Sequence, residues 1–255
     1  MVAGPPDAIR TASACAWCEQ PLAHGPLRPL APLRCQHCGA TTALDWSSER
    51  QSERAPLLPV GSVHSSHRLC TLGEAARRRA RRRLATRIAR VAPPGPVLDV
   101  GSGDGMLLDA LRATGRLTTG IVSGPLGGRS RADIQDAEIT ELGGRYAAIV
   151  FWQSLGRLRA PGVALDHAAA LLKPGGLLAI AQPSATRLQA QAIGERLLAP
   201  GTPRHQVLIP PQTLMERLRA LGMQVDRIDH LLDLPTPAGW LQNVLGGVTA
   251  IEARR

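Results

Sequence analysis

Four of the five cysteines fall in two knuckles, Cys15-Ala-Trp-Cys18 and Cys35-Gln-His-Cys38, separated by sixteen residues. Two tight turns at this spacing can aim four thiolates at one tetrahedral ion, the pattern of a zinc ribbon, in which short hairpins between the knuckles supply little core of their own. An all-thiolate shell has no open position, so the Zn2+ would be structural. Gly39 follows the second knuckle and suits its turn, and His37 lies inside it as a substitute ligand that four thiols do not require. Cys70, the fifth cysteine, reads as a small buried residue.

A second constellation lies at Val97-Leu98-Asp99-Val100-Gly101-Ser102-Gly103-Asp104-Gly105, followed by Met106-Leu107-Leu108. An apolar strand runs into a glycine turn and then a helix, an arrangement that brings backbone close to a ligand. The acids decide which ligand. Pyrophosphate at the helix N-terminus would be repelled by Asp99 and Asp104, and Met106 stands where a dinucleotide fingerprint has its third glycine. S-adenosylmethionine carries an ammonium and a sulfonium and no phosphate, so carboxylates beside the turn favour it over NAD. For transfer to a hydroxyl a base is also needed. His205 is the candidate, Asp104 reads as a helix N-terminal charge, Gln153 can position an acceptor without taking its proton, and His167 reads as a surface position.

The elements that must position these groups follow from the rest of the chain. It has 255 residues, 44% hydrophobic and 20% charged, which excludes disordered and fibrous classes and suggests one main domain with a small appendage. Six aromatics (Trp17, Trp46, Trp152, Trp240, Tyr146, Phe151) are too few for a base-stacking platform. The net charge of +10 is concentrated: nine arginines and one glutamate between residues 68 and 90 carry +8 of it. That segment has no proline and ends at Pro93-Pro94-Gly95, so a helix is expected over 73–91. Its arginines leave Ala75, Ala76, Ala80, Leu84, Ile88 and Val91 as a narrow apolar stripe, the pattern of a solvated helix over the cofactor pocket; Arg77 to Arg83 as a phosphate track on RNA is the alternative. Strands are expected at 97–100, 117–123, 147–152, 177–181 and 224–230, and helices near 105–114, 162–172, 185–198 and 211–221. The alternation points to an α/β fold, a mostly parallel sheet flanked by helices. Residues 1–46 form the ribbon, 47–72 a polar linker and 73–255 the main domain. Residues 231–255 stay ambiguous between helix and strand. No apolar leader and no membrane span is expected, which places the chain in the cytoplasm, where cysteines serve metals sooner than disulfides.

The segment VLDVGSGDG resembles motif I of the class I S-adenosylmethionine-dependent methyltransferases. The resemblance continues in residues 143–152 (GGRYAAIVFW), in 171–178 (LLKPGGLL) and in Pro203-Arg204-His205 with the segment that follows. With the N-terminal knuckles, it is similar to a bacterial subgroup of zinc-ribbon methyltransferases. The resemblance implies a Rossmann-like sheet with S-adenosylmethionine across the carboxyl ends of the central strands. Asp99, Gly101 and Gly103 would meet the methionine part and Asp136 the adenine amino group, with Asp104, Ser123 and Trp152 also at the cofactor. The departures are Ser123 where an acid usually grips the ribose, worth roughly 1.5 to 3 kcal/mol, Ala147 where an acid usually precedes the fourth strand, and Gln153 and Gly156 where the subgroup has histidine and glutamate. Three readings follow. A small-molecule, glycan-type or secondary-metabolite acceptor, methylated at oxygen, leads. An rRNA or tRNA base methyltransferase holding RNA through the arginine helix and ribbon is second, and a catalytically impaired cofactor-binding or scaffold protein is third.

Overall fold

The computed structural model describes residues 14–22, 33–42, 67–122, 131–183, 206–231 and 248–255. Its centre is β3 (Val97–Val100), whose four residues are all buried, as a strand covered on both faces requires. Around it a seven-stranded sheet runs in the order β5-β4-β3-β6-β7-β10-β9, with β4 (Thr118–Val122), β5 (Ile134–Asp136), β6 (Tyr146–Trp152), β7 (Leu172–Pro183), β9 (Gln224–Leu231) and β10 (Val248–Arg254). Strands β5 through β7 are mutually parallel. From β3 the chain moves outward to β4 and β5 on one side, then crosses to β6 and β7 on the other. That reversal opens a crevice at the carboxyl ends of β3 and β6, where open α/β sheets bind ligands.

The Rossmann-like expectation holds, and two strands add to it. β5 is three residues long, too short for a periodic signal. β10 settles residues 248–254 as strand: it inserts antiparallel between β7 and β9 and so completes the hairpin that the sequence left open. Ladder bonding on both edges, with Ile251 and Ala253 buried, decides what a locally neutral run of VTAIEAR does not. The expected helix over 185–198 lies outside the described residues.

Alternation along the strands sends side chains into two separate apolar clusters. Val97, Ala148, Val150, Leu177 and Ala179 face one way and pack with Ala85, Ile88, Leu107 and Leu111, from α1 (His67–Val91) and α2 (Met106–Arg112). Leu98, Val100, Ile149, Phe151 and Ile180 face the other way, under α3 (Pro161–Leu171) and α4 (Pro211–Ala220). α1 begins at His67, earlier than the expected start at 73. Among the described side chains the buried positions on α1 are Ala85 and Ile88, with Ala92 buried just past its end, so the apolar stripe is rotated slightly from the one read from the sequence.

The ribbon belongs to the second cluster. Cys15, Trp17, Leu22, Cys35 and Ala40 are buried in continuity with Phe151, Leu165 and Leu214. β1 (Leu33–Arg34) pairs with β2 (Thr41–Thr42), which pairs with β8 (Val207–Leu208) of the main domain. Trp17 is 3% exposed. The Arg217 guanidinium lies 5.5 Å from its ring and also bonds both oxygens of Asp166. A Cβ at Gly162 would fall 2.4 Å from the Trp17 carbonyl oxygen, so the close approach of α3 to the ribbon depends on that glycine.

Candidate functional site

The glycine turn sits at the carboxyl end of β3. Gly101, Gly103 and Gly105 all have left-handed backbone, with φ of 76°, 55° and 72°, which excludes β-carbons at little conformational penalty. Their surroundings differ. A Cβ on Gly101 would lie 2.4 Å from the Ser154 Cβ, whereas one on Gly103 would meet only the Gly101 carbonyl, at 3.8 Å. The turn is therefore packed shut at Gly101 and open at Gly103. The Asp104 carboxylate accepts from the Met106 backbone N–H at 3.1 Å, at the first residue of α2.

Asp99 is buried beneath this turn, and its Oδ2 has no hydrogen-bond partner. Burial pushes its carboxyl up to about 7, against the weaker opposing effects of the Ser102 hydroxyl and the Arg81 charge. An unpartnered buried oxygen is costly unless something completes it. A cationic group above the turn would do so, and the open side of Gly103 leaves space for one. The residues present thus fit S-adenosylmethionine and would disfavour a phosphate.

Arg81 is the site residue that sequence reasoning left inside an undifferentiated run. It continues the buried stripe of α1, four residues before Ala85 and seven before Ile88, and its side chain is 15% exposed. Its Nη1 lies 3.3 Å from Asp104 Oδ2 and 2.9 Å from the Met106 sulfur. The phase of the helix carried the signal: an arginine on the buried side of an amphipathic helix needs a polar target. By contrast Arg78, Arg79, Arg82 and Arg90 are exposed.

The loop after β6 carries two of the departures from the family pattern, Gln153 and Gly156. Gln153 adopts φ of 54°, rare for a residue with a side chain, and its N–H donates to Ala181 at 2.7 Å. Ser154 Oγ donates to the Val100 carbonyl at 2.5 Å, and Gly156 accepts from the Gln206 N–H at 2.7 Å. Gln182 Nε2 donates to the Ile209 carbonyl at 2.9 Å. The segment around β8 is thus stitched to the loop after β6 and to β7. Ala147 lies buried within β6 and donates its N–H to Pro96. Asp136 ends β5 beside Val122 in the register, and Trp152 ends β6 on the side of α1. His167 Nε2 is 3.0 Å from the Leu142 carbonyl, a structural contact outside the crevice. Ser123, His205 and the side chains of Cys70 and Arg77 lie outside the described residues.

The four expected cysteines converge on one point. Their Sγ atoms all lie within 4.8 Å of one another, with Cys15–Cys38 and Cys18–Cys35 both at 3.6 Å. Sulfur atoms of a tetrahedral site with Zn–S near 2.3 Å stand roughly 3.8 Å apart. The knuckles repeat each other in backbone bonding: Glu19 N–H to the Cys15 carbonyl and Gly39 N–H to the Cys35 carbonyl are both 2.9 Å. Glu19 and Gly39 are both left-handed, φ 61° and 73°. Sequence marked Gly39 for this and gave no sign of Glu19. At Cys35 burial is outweighed by the backbone amides of Cys38 and His37 and by neighbouring thiols, which bring the thiol down to about 7; burial pushes Cys38 well above its usual range. Among the described residues this is the one cluster of three or more metal-ligating groups.

Comparison with known proteins agrees with this geometry. Residues 75–228 match a family model described as a methyltransferase domain. A ubiquinone biosynthesis O-methyltransferase of Xanthomonas campestris pv. campestris (strain B100) is 31% identical over 169 residues, covering 58% of this chain and 70% of that protein. Among solved structures, magnesium protoporphyrin IX methyltransferase from Synechocystis PCC 6803 with bound SAH superposes with a TM-score of 0.55 at 16% identity, covering 76% of this chain and 90% of the other. A chain from the complex of the Haloferax volcanii Trm112 methyltransferase activator and a methyltransferase gives 0.52 at 18% identity, covering 67% and 87%. At these identities the structures speak to the fold.

Proposed function

Because the chain belongs to the class I S-adenosylmethionine-dependent methyltransferase family, we propose that it methylates a hydroxyl oxygen of a small-molecule acceptor. The observation that carries cofactor use is Asp99, buried with an unpartnered oxygen under a left-handed glycine turn open at Gly103. Oxygen as the methylated atom is supported by the O-methyltransferase name of the 31% identical relatives.

When bound, S-adenosylmethionine supplies a methyl carbon on a sulfonium: an acceptor oxygen attacks in line, the C–S electron pair leaves with sulfur, and the hydroxyl proton goes to a base. The residues of the chain supply alignment and electrostatics. Asp99 would meet the ammonium with its unpartnered Oδ2, Gly101 and Gly103 would let the methionine part approach, and Arg81 would face its carboxylate. Asp136 would reach the adenine end, and Trp152 would close the side toward α1. His205 is the proposed base. It precedes Gln206, which is bonded to Gly156 at the end of β6. The four cysteines would hold a structural Zn2+, in the reducing conditions of the cytoplasm. Among the described residues no helix is long and apolar enough to cross a membrane. RNA as the acceptor has less support, since the ribbon is packed into the main core and Arg81 turns inward to the glycine turn.

Calorimetry with S-adenosylhomocysteine (SAH) tests the cofactor site, with Gly101→Arg expected to abolish binding at unchanged zinc content. Absence of binding to the wild-type chain at millimolar SAH would defeat the reading. His205→Ala should lower methyl transfer from radiolabelled donor and remove the acid limb of the pH profile, the fall in rate as the imidazole is protonated, while SAH affinity is kept.

A further inference from the structure

Beneath α1 lies a cavity of about 310 Å³ that the cofactor reading does not use. Its floor is a single row across the sheet: Val150, Ala179, Glu252 and Arg227 are in register on β6, β7, β10 and β9. Ala179 in that row and Ala80 on the helix above are too small to fill the space between the layers. Trp152 and Ala181 line the end that lies toward the carboxyl ends of the strands. That end adjoins the site: Gln153 donates to the Ala181 carbonyl, and Ser154 packs on Gly101.

The lining is apolar apart from charges at its rim, and those are unbalanced. Arg87 grips both oxygens of Glu252, at 2.5 and 2.6 Å, which offsets one charge of each sign. Arg83, one turn earlier on α1, also lines the cavity, and among the described lining residues Glu252 is the one acid. An apolar body would fill the void, and an anionic group would be drawn to the guanidinium side, where charge-assisted bonds to arginine are strongest.

We propose that this cavity is the acceptor subsite and that the acceptor is a ring-sized apolar hydroxyl compound bearing one anionic group, held at Arg83 and the Arg87–Glu252 pair. The inference rests on the small-molecule O-methylation reading and adds to it the charge and shape of the substrate. It assigns the arginine helix two tasks, Arg81 at the cofactor and Arg83 with Arg87 at the acceptor.

The test uses the full chain, with and without saturating SAH, and two probes of one shape: 3-hydroxy-2-naphthoate and its neutral amide, 3-hydroxy-2-naphthamide. Calorimetry should find the carboxylate bound at least about tenfold tighter than the amide, the size of a charge-assisted contact. Arg83→Glu, an exposed substitution, should remove that preference and leave SAH affinity and amide binding unchanged. Ala80→Leu, which fills the void from the helix, should weaken both probes with SAH affinity kept. Equal affinity for the two probes in the wild-type chain, or a carboxylate preference that survives Arg83→Glu, overturns the proposal. Failure of SAH to bind counts against the methyltransferase reading itself and is read separately from probe preference.

Discussion

The two faces of the sheet are built on opposite terms. On the ribbon side, α3, α4 and the cysteine knuckles enclose an apolar cluster in which Trp17 is almost wholly buried and the polar groups are satisfied: Thr213 Oγ1 donates to the Cys38 carbonyl at 2.7 Å, and Arg217 is paired with Asp166 and stacked on Trp17. On the α1 side, the packing stops short. There Asp99 has an unpartnered oxygen, three alternating glycines of the turn (Gly101, Gly103 and Gly105) are left-handed, and a cavity stays open beside Trp152. One face is finished by the chain itself and the other is arranged for ligands. A cysteine ribbon that would look like an accessory is in this chain a wall of the main core, paired through β2 with β8.

The largest expected effect follows from removing the Zn2+ that the four cysteines are proposed to hold. Structural zinc contributes on the order of 10 kcal/mol in small domains, comparable to the whole stability of a domain. Chelation or Cys35→Ser should therefore abolish the cooperative thermal transition and the near-ultraviolet circular dichroism of the buried tryptophan, and SAH binding with them. A chelated chain that still melts cooperatively and binds SAH would mean that the ribbon face is separable, and the contrast between the faces would collapse.

Gly101→Ala probes the opposite face. It meets the Ser154 Cβ and a φ of 76°, so SAH affinity should fall about a hundredfold or more, with stability lowered by about 1–3 kcal/mol. Retained affinity would show the turn to be a packing device alone.

Asp99 gives an effect that depends on pH. Its carboxyl ionises near 3.8 in the unfolded chain and near 7 when buried, so between those values the folded state holds the extra proton. Its contribution therefore lowers stability as pH rises from about 4 to 7 and is constant above, a span on the order of 4 kcal/mol. Binding of a cationic cofactor favours the ionised form, so affinity for S-adenosylmethionine should tighten through pH 7 and level off. Asp99→Asn should weaken binding at high pH and flatten that profile. A wild-type profile that is already flat between pH 6 and 8 would contradict this role.

The smallest effect returns to the ribbon side. Arg217→Gln removes the pair with Asp166 and the contact with Trp17 at once, both partly exposed, and should lower stability by about 1 kcal/mol without changing SAH affinity. A change in affinity instead would couple the two faces more tightly than their separate clusters indicate.

The glycine turn and the knuckles were legible because their function constrains consecutive residues: Gly101, Gly103 and the cysteine pairs act through local backbone geometry, which spacing records. Arg81 was harder to see, since only the phase of Ala85 and Ile88 distinguishes it from the exposed Arg82. Strand β10 was not legible at all, because its reason for being a strand lies in β7 and β9 on either side of it.

The amino-acid sequence alone determined the chemistry available: four thiols at ribbon spacing, an acid-flanked glycine turn suited to a cation, and an α/β alternation that makes a parallel sheet. Those are properties of short segments, where bond geometry and side-chain period act within a few residues. The tertiary structure decided what each segment faces: that the ribbon shares the core under α3 and α4, that Asp99 is sealed from water with one oxygen unpaired, and that small residues on β7 and α1 leave a cavity beside a surplus of arginine. Burial, register and void volume are sums over residues distant in the chain, so no local pattern carries them.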